Sequence, residues 1–244
     1  MEPAGPDLAE RQVPVIRAAR RTGHCGRTHQ PFGWREHSQD PHRIAGTTRG
    51  TAMTDSLTAQ VLRVTDKLAA ARRLPGAAKV PGADSHGFHL GPPLPESEVA
   101  AFEGRHGVRL PAEYRAFVTR VGHGGPSNLG GAGPYHGLLP LDRWDDALEE
   151  PATDEVLATP FPMDPDFAYR DWWGEMGLGV KDEPFTGALA LSHEGEGYLW
   201  VLVVTGPARG RIASTYFDGT GPHLSPAPDF LSWYEHWLDT VLAG

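Results

Sequence analysis

The chain has 244 residues, enough for one domain with a sizeable core plus appendages, and its 30 Gly and 23 Pro imply many turns without reaching low complexity. No stretch approaches the ~20 apolar residues of a membrane helix and no apolar signal region opens the sequence; the single Cys25 excludes an intramolecular disulfide and a cysteine zinc cluster, so the expected location is the cytoplasm. The net charge of −9 is uneven: residues 1–52 hold eight Arg against five acids, and the remainder holds 14 Lys plus Arg against 26 acids, an acidic body that disfavours nucleic acid.

Residues 1–52 show neither helical nor strand period, and their mixture of Arg with Gly, Pro, His and Gln predicts disorder. They read either as a basic tail or as a misassigned start, with Met53 the first residue of the domain. His24, His29, His37 and His42 lack ligand spacing. Residues 54–74 predict a helix capped by Thr54 or Asp55, with Leu57, Val61, Val64 and Leu68 as its apolar stripe and Pro75-Gly76 as its stop. Residues 75–93 read as a Pro/Gly-rich connection in which His86 and His89 are expected in solvent.

Residues 94–125 predict two short helices around a sharp corner. Val99 and Phe102 form the stripe of the first, Glu96 and Glu98 suit its N-terminal end, and Gly107 sits where its last turn needs a left-handed residue. Pro111 keeps Leu110 out of the α region and suits the first position of the second helix, whose apolar face is Tyr114, Phe117, Val118 and Val121. The glycine-rich run Gly122–Gly137 predicts a surface loop; it has no Lys, so the phosphate-binding P-loop pattern is unmet.

Leu138–Leu141 predicts a short strand, and Asp142 the cap of a short helix through Trp144, Ala147 and Leu148. Residues 151–185 form an irregular insertion with Phe161, Phe167, Tyr169, Trp172 and Trp173; such aromatic density either anchors a partner or folds as a flap over the sheet, the reading favoured because exposed aromatic patches are a liability. Asp164-Pro-Asp166 lacks the Gly and terminal Glu of a calcium loop. Gly187–Ser192, Tyr198–Thr205 and Arg211–Phe217 predict an antiparallel meander joined by turns at His193–Gly197 and Gly206–Gly210, the middle strand buried on both sides. A helix over Asp229–Leu242, capped by Asp229, presents Phe230, Trp233, Tyr234, Trp237, Leu238, Val241 and Leu242 on one broad face.

Two patterns in this order resemble the SUKH superfamily, whose bacterial members include toxin-immunity proteins and whose fungal members, of the Smi/Knr type, regulate cell-wall assembly. The first is the acidic helix, Gly107, Leu110-Pro111, Tyr114-Arg115-Ala116-Phe117 and a Gly-rich turn. The second is the Glu194-Gly195-Glu196-Gly197 turn between strands, followed by Phe230-x-x-Trp233-Tyr234-x-x-Trp237-Leu238. The resemblance covers about residues 94–242 of a domain over 53–244, and departs from the family at the 151–185 insertion and residues 1–52. It implies an α+β fold, one antiparallel sheet packed by helices, and a non-enzymatic protein-binding role: an immunity protein that neutralises a cognate toxin by direct binding.

No catalytic set emerges to compete with that reading. Ser192-His193-Glu194 are adjacent on a strand end and point to alternate faces; there is no Gly-x-Ser-x-Gly and no His-Glu-x-x-His. His123, His136, His193 and His223 sit in or beside Gly/Pro turns, while His106 and His236 read as boundary residues on helices. The expectation is therefore no metal, no cofactor and no membrane, with a basic toxin domain as partner. Its contacts are expected at Glu194, Glu196, Asp142, Asp145 and Asp146, with Trp172 and Trp173 as anchors. A regulatory scaffold of the cell-wall type is the alternative within the binding class, and a small metal-dependent hydrolase the alternative outside it.

Overall fold

The computed structural model describes residues 49–125, 127–148, 152–161, 163–164, 185–216 and 222–244. These lie within one compact unit, His42–Gly244. Nearly all of the expected basic tail, and Trp172 and Trp173 of the insertion, lie outside the described residues.

The first helix, α1 (Arg49–Ala71), begins upstream of the expected cap: Thr54 and Asp55 are interior positions, and Arg72-Arg73 lie just past its end. Its stripe holds, with Val61, Val64 and Leu68 buried. The connection after it is not solvent-facing throughout. It forms a single 3-10 turn (Ala77–Lys79) and a short helix α2 (Ala83–His86), and His86 is only 1% exposed. His86 Nδ1 accepts the Phe88 N–H at 2.9 Å, and the ring lies edge-on to Phe88 and Trp237. Its Nε2 is buried and has no hydrogen-bond partner among the described residues.

Helices α3 (Glu96–His106) and α4 (Ala112–Arg120) make the corner. Gly107 adopts φ 62°, the left-handed conformation that ends α3. Pro111, at φ −52° and ψ 139°, is extended and precedes the helix rather than beginning it. Glu103, 5% exposed, closes the corner: one carboxylate oxygen accepts the Leu110 N–H at 2.9 Å and lies 3.4 Å from Arg115 Nε, while the other is 3.5 Å from Arg109.

The sheet has four antiparallel strands in sequence order: β1 (Ala188–Gly195), β2 (Tyr198–Val203), β3 (Ile212–Tyr216) and β4 (His223–Leu224). The expected turn at His193–Gly197 shrinks to two residues, because β1 continues to Gly195 opposite Tyr198. Glu196 and Gly197, at φ 51° and 89°, have the positive φ that a two-residue type I′ hairpin requires. Leu138–Leu141 is not a strand. It touches β1 through a single bridge, Leu138 to Ser192, and the Leu139 N–H to the Leu191 carbonyl, before Pro140 ends the pairing.

Both faces of the sheet are covered. Leu199, Val201 and Val203 join Leu139, Ala147, Phe161, Met163 and Phe185 on one side, so the described ends of the insertion pack into the core as a flap would. On the other side Trp200 meets Trp233 of the last helix, α5 (Phe230–Ala243), at 5.3 Å. Asp229 caps α5 as expected, accepting the Ser232 N–H at 2.8 Å. Phe117 packs edge-on to Phe230 and Tyr234, and α1 is tied to α5 by Arg63 and Lys67, each 2.9 Å from Glu235.

The glycine-rich segment is only partly superficial: Asn128 and Leu129 are exposed, whereas Gly130 to Pro134 are buried and Tyr234 donates to the Ala132 carbonyl at 2.8 Å. A Cβ on Gly133, at φ 68°, would lie 2.4 Å from the Trp237 indole. The glycines here allow backbone to lie directly against an aromatic ring.

Two stability measurements follow. Glu103→Ala strands the buried Leu110 N–H and leaves Arg115 with Glu96 as its remaining carboxylate, and is expected to destabilise by about 2 kcal/mol in urea titration. Arg109→Ala, at an exposed partner, is expected to change stability by less than about 0.5 kcal/mol. Burial pushes the His86 imidazole down to about 4, so the unfolded chain takes up a proton more readily than the folded one. The His86 contribution is thus complete above the ordinary histidine range and lost as pH falls from about 6.5 towards 4. Denaturation midpoints measured from pH 7 down to pH 4 should show this fall, and a His86→Phe variant should show less of it.

Candidate protein-binding groove

The 3-10 helix over Leu141–Ala147 is two turns joined at a kink, where Arg143 has φ −130° and ψ 26°, and burial still recurs at every third residue. Leu141, Trp144 and Ala147 point into the core and are buried. Arg143 and Asp146 pair outward, Nε to Oδ2 at 2.6 Å. Asp142 and Asp145 form the third row. Pro140 precedes the element and no side chain caps it, so Asp142 lies within its first turn rather than at the expected cap position.

The Asp142–Asp145 row faces α3 across a groove of about 370 Å³. From α3 come Glu98, Ala101, Phe102 and Arg105, spaced as one helical face, with His106 behind them; Ala152 and Asp154 close the far end. Phe102 and His106 are 4.5 Å apart between ring centres, and His106 stands edge-on to Trp144 at 6.3 Å. The walls are therefore aromatic, with four carboxylates and one guanidinium around them. Glu98, Asp142 and Asp145 have no ion-pair partner among the described residues, whereas nearby Glu96 is paired with Arg115 and Asp146 with Arg143.

The structure thus brings Asp142 and Asp145 together and turns Asp146 away. The hairpin carboxylates form a separate feature and are not equivalent. Glu196 is exposed at the turn, while Glu194 is half-buried and accepts the Ser214 hydroxyl at 2.6 Å. Burial pushes the Tyr135 phenol up, and Glu194 adds to the shift.

The remaining histidines do not assemble. His123 Nδ1 is 3.0 Å from the Pro92 carbonyl, and the His136 N–H reaches the His193 carbonyl at 3.3 Å. Burial, and next to it His136, lowers the His193 imidazole. Ser192 donates to the Pro134 carbonyl, which engages its hydroxyl away from any base. Among the described residues no group of three His, Cys, Asp or Glu side chains is arranged to hold a metal. No described helix is long and apolar enough to cross a membrane.

The model of the SMI1/KNR4 family (SUKH-1) matches residues 93–234, more than half of the chain. The chain belongs to this family. No curated protein and no solved structure matches it. The SMI1/KNR4 match begins just before α3 and ends within α5, so it contains the α3–α4 corner, the groove and the whole sheet, while α1 and α2 precede it.

Sequence reasoning found Asp142 and Asp145 but missed Glu98, Phe102, His106, Trp144 and Asp154 as their neighbours. The 98, 101, 102, 105 face was a readable signal on one side of the groove. Its juxtaposition with the 3-10 helix is a tertiary contact that spacing alone does not encode.

Glu196 occupies a left-handed position that Asn fills with less strain. Glu196→Asn is expected to raise stability by roughly 0.5–1 kcal/mol in thermal or urea unfolding. An unchanged or lower midpoint would mean that the Glu196 side chain supports the hairpin.

Proposed function

We propose that this SMI1/KNR4-family protein is a binding domain of the immunity type, which neutralises a basic toxin domain by direct occlusion. The observation that carries this reading is the groove itself, an aromatic-walled cleft in which Glu98, Asp142 and Asp145 have no ion-pair partner among the described residues. Surface acids left uncompensated in this way raise the local negative potential, which steers a cationic partner and speeds association. The half-exposed Phe102 ring then supplies apolar contact area for it. Binding needs no shifted pKa and no cofactor, only shape and sign. The hairpin acids Glu194 and Glu196 extend the acidic surface in the same reading, and the proposed site of action is the cytoplasm.

The test is functional and thermodynamic. Co-expression of the full chain with the basic protein that it captures from lysate of the source cell should relieve that protein's toxicity. Affinity should fall progressively as salt rises through the screening range. Asp142→Lys with Asp145→Lys should slow association by about tenfold at low salt, read by stopped-flow or surface-based kinetics. Capture of cell-wall or signalling proteins with salt-independent affinity, and no relief of toxicity, would replace the immunity reading with a regulatory scaffold.

A further inference from the structure

We infer that residues 82–90 form a strap that closes on α5 only while the His86 ring is uncharged, and that acid opens this strap locally, ahead of the rest of the domain.

The strap is held at few points. Its backbone hydrogen bonds are local: the Ala83 N–H to the Val80 carbonyl at 3.0 Å, Gly87 to Ala83 at 2.8 Å and His89 to His86 at 2.8 Å. The next bond outward joins the Gly91 N–H to the Gly124 carbonyl. Three of its side chains are buried, Ala83, His86 and Phe88. Phe88 stacks on Trp237 of α5 with ring centres 5.8 Å apart, and its carbonyl accepts Arg72 Nε at 2.7 Å. A segment with few buried side chains and local bonds opens at lower free energy than the core around it.

The His86 ring is the latch. Phe88 has φ 60°, in the left-handed region that a bulky side chain occupies only when its surroundings impose it, and Gly87 before it has φ 52°. The Phe88 N–H is held in that turn by its bond to His86 Nδ1 at 2.9 Å. A backbone N–H only donates, so Nδ1 carries a lone pair and the ring is the neutral tautomer with its proton on Nε2. A second proton, placed on Nδ1, turns that bond into two opposed donors.

The surroundings do not compensate a charged ring. Nε2 has no hydrogen-bond partner among the described residues, and α5 presents the uncharged Trp237 indole. Burial is the largest influence and opposes the charge, as His136 does. The Tyr135 backbone and Asp84, exposed on α2 itself, favour it, and the balance leaves the pKa lowered to about 4. Arg72, from the end of α1, brings a further cation to the Phe88 carbonyl. In the open strap His86 meets water and regains its ordinary value of 6.5. The closed form is therefore fully favoured above that value, and each pH unit below it, down to about 4, shifts the balance towards the open form by about tenfold.

The experiment is native-state amide exchange on the full-length ¹⁵N-labelled protein, read by NMR at pH 6, 5.25 and 4.5 and corrected for the intrinsic rate at each pH. Protection of the Gly87, Phe88 and His89 amides should fall by about tenfold per pH unit. At every pH it should lie about a hundredfold or more below that of Val203 and Val204, which bond across the sheet to Arg211 and Gly187. Low urea should leave exchange in the strap unchanged while speeding that of Val203 and Val204, because local opening exposes little surface. His86→Asn places a neutral acceptor where Nδ1 stands and should abolish the pH dependence in the strap; His136→Gln should keep it. Strap amides that match Val203 and Val204 in protection and urea response would overturn the inference, because only global unfolding would then expose them. Protection that stays flat with pH, or a pH dependence that survives His86→Asn or vanishes in His136→Gln, would overturn it as well.

Discussion

The Leu110 peptide unit is the point on which the α3–α4 layer depends. Pro111 holds Leu110 in an extended conformation, so neither its N–H nor its C=O can join a helix. Leu110 is buried, and both groups must be met inside the protein. Glu103 supplies the acceptor for the N–H, and Arg209, from the turn between β2 and β3, donates to the carbonyls of Arg109 at 3.0 Å and Leu110 at 3.1 Å. One residue is thus pinned from the preceding helix on one side and from the sheet on the other. The angle between α3 and α4, and the seat of both against the sheet, follow from that double attachment.

The same attachment gives α3 two distinct electrostatic faces. Glu103 points inward and is matched by Arg115, Arg109 and a backbone N–H. Glu98 lies on the face that lines the groove, where no cation meets it. A carboxylate that closes a fold and a carboxylate that faces a partner therefore stand five residues apart on one helix. What separates them is which side of α3 each occupies once Leu110 has fixed the helix in place. Loss of Glu103 would disturb the groove as well as the corner, because the 98, 101, 102, 105 face is oriented by it.

Much of this architecture was legible in the sequence wherever a single element carried its own period. The pair α3 and α4, the meander of β1 to β3, and α5 with its Asp229 cap all show an apolar stripe or alternation bounded by Gly, Pro or a capping side chain. The SUKH resemblance rested on those elements, and the family match covers them. The misses share a different cause. Leu138–Leu141 has strand-like composition but only one ladder position before Pro140, so it stays a bridge. His86 has polar neighbours in sequence, and its burial comes from Phe88 and from Trp237, about 150 residues away. The Gly122–Gly137 run has the composition of an exposed loop. Its burial depends on Tyr234 and Trp237 of α5, to which glycine is the only residue small enough to offer bare backbone at Gly133.

The candidate groove was half legible for the same reason. Asp142 and Asp145 could be singled out as acids, but not distinguished from Asp146, because positions i, i+3 and i+4 share one face of a helix of ordinary period. In the structure the element is kinked at Arg143, and Asp142 and Asp145 line the groove while Asp146 pairs with Arg143. The short, tight helix thus serves two ends at once: it seats Trp144 in the core and sets two like charges side by side at the rim. Two carboxylates lining one groove raise its negative potential. Glu96, Asp146, Glu235 and Asp239 already have counter-ions, so their charges add less to the surface potential than those of Asp142 and Asp145.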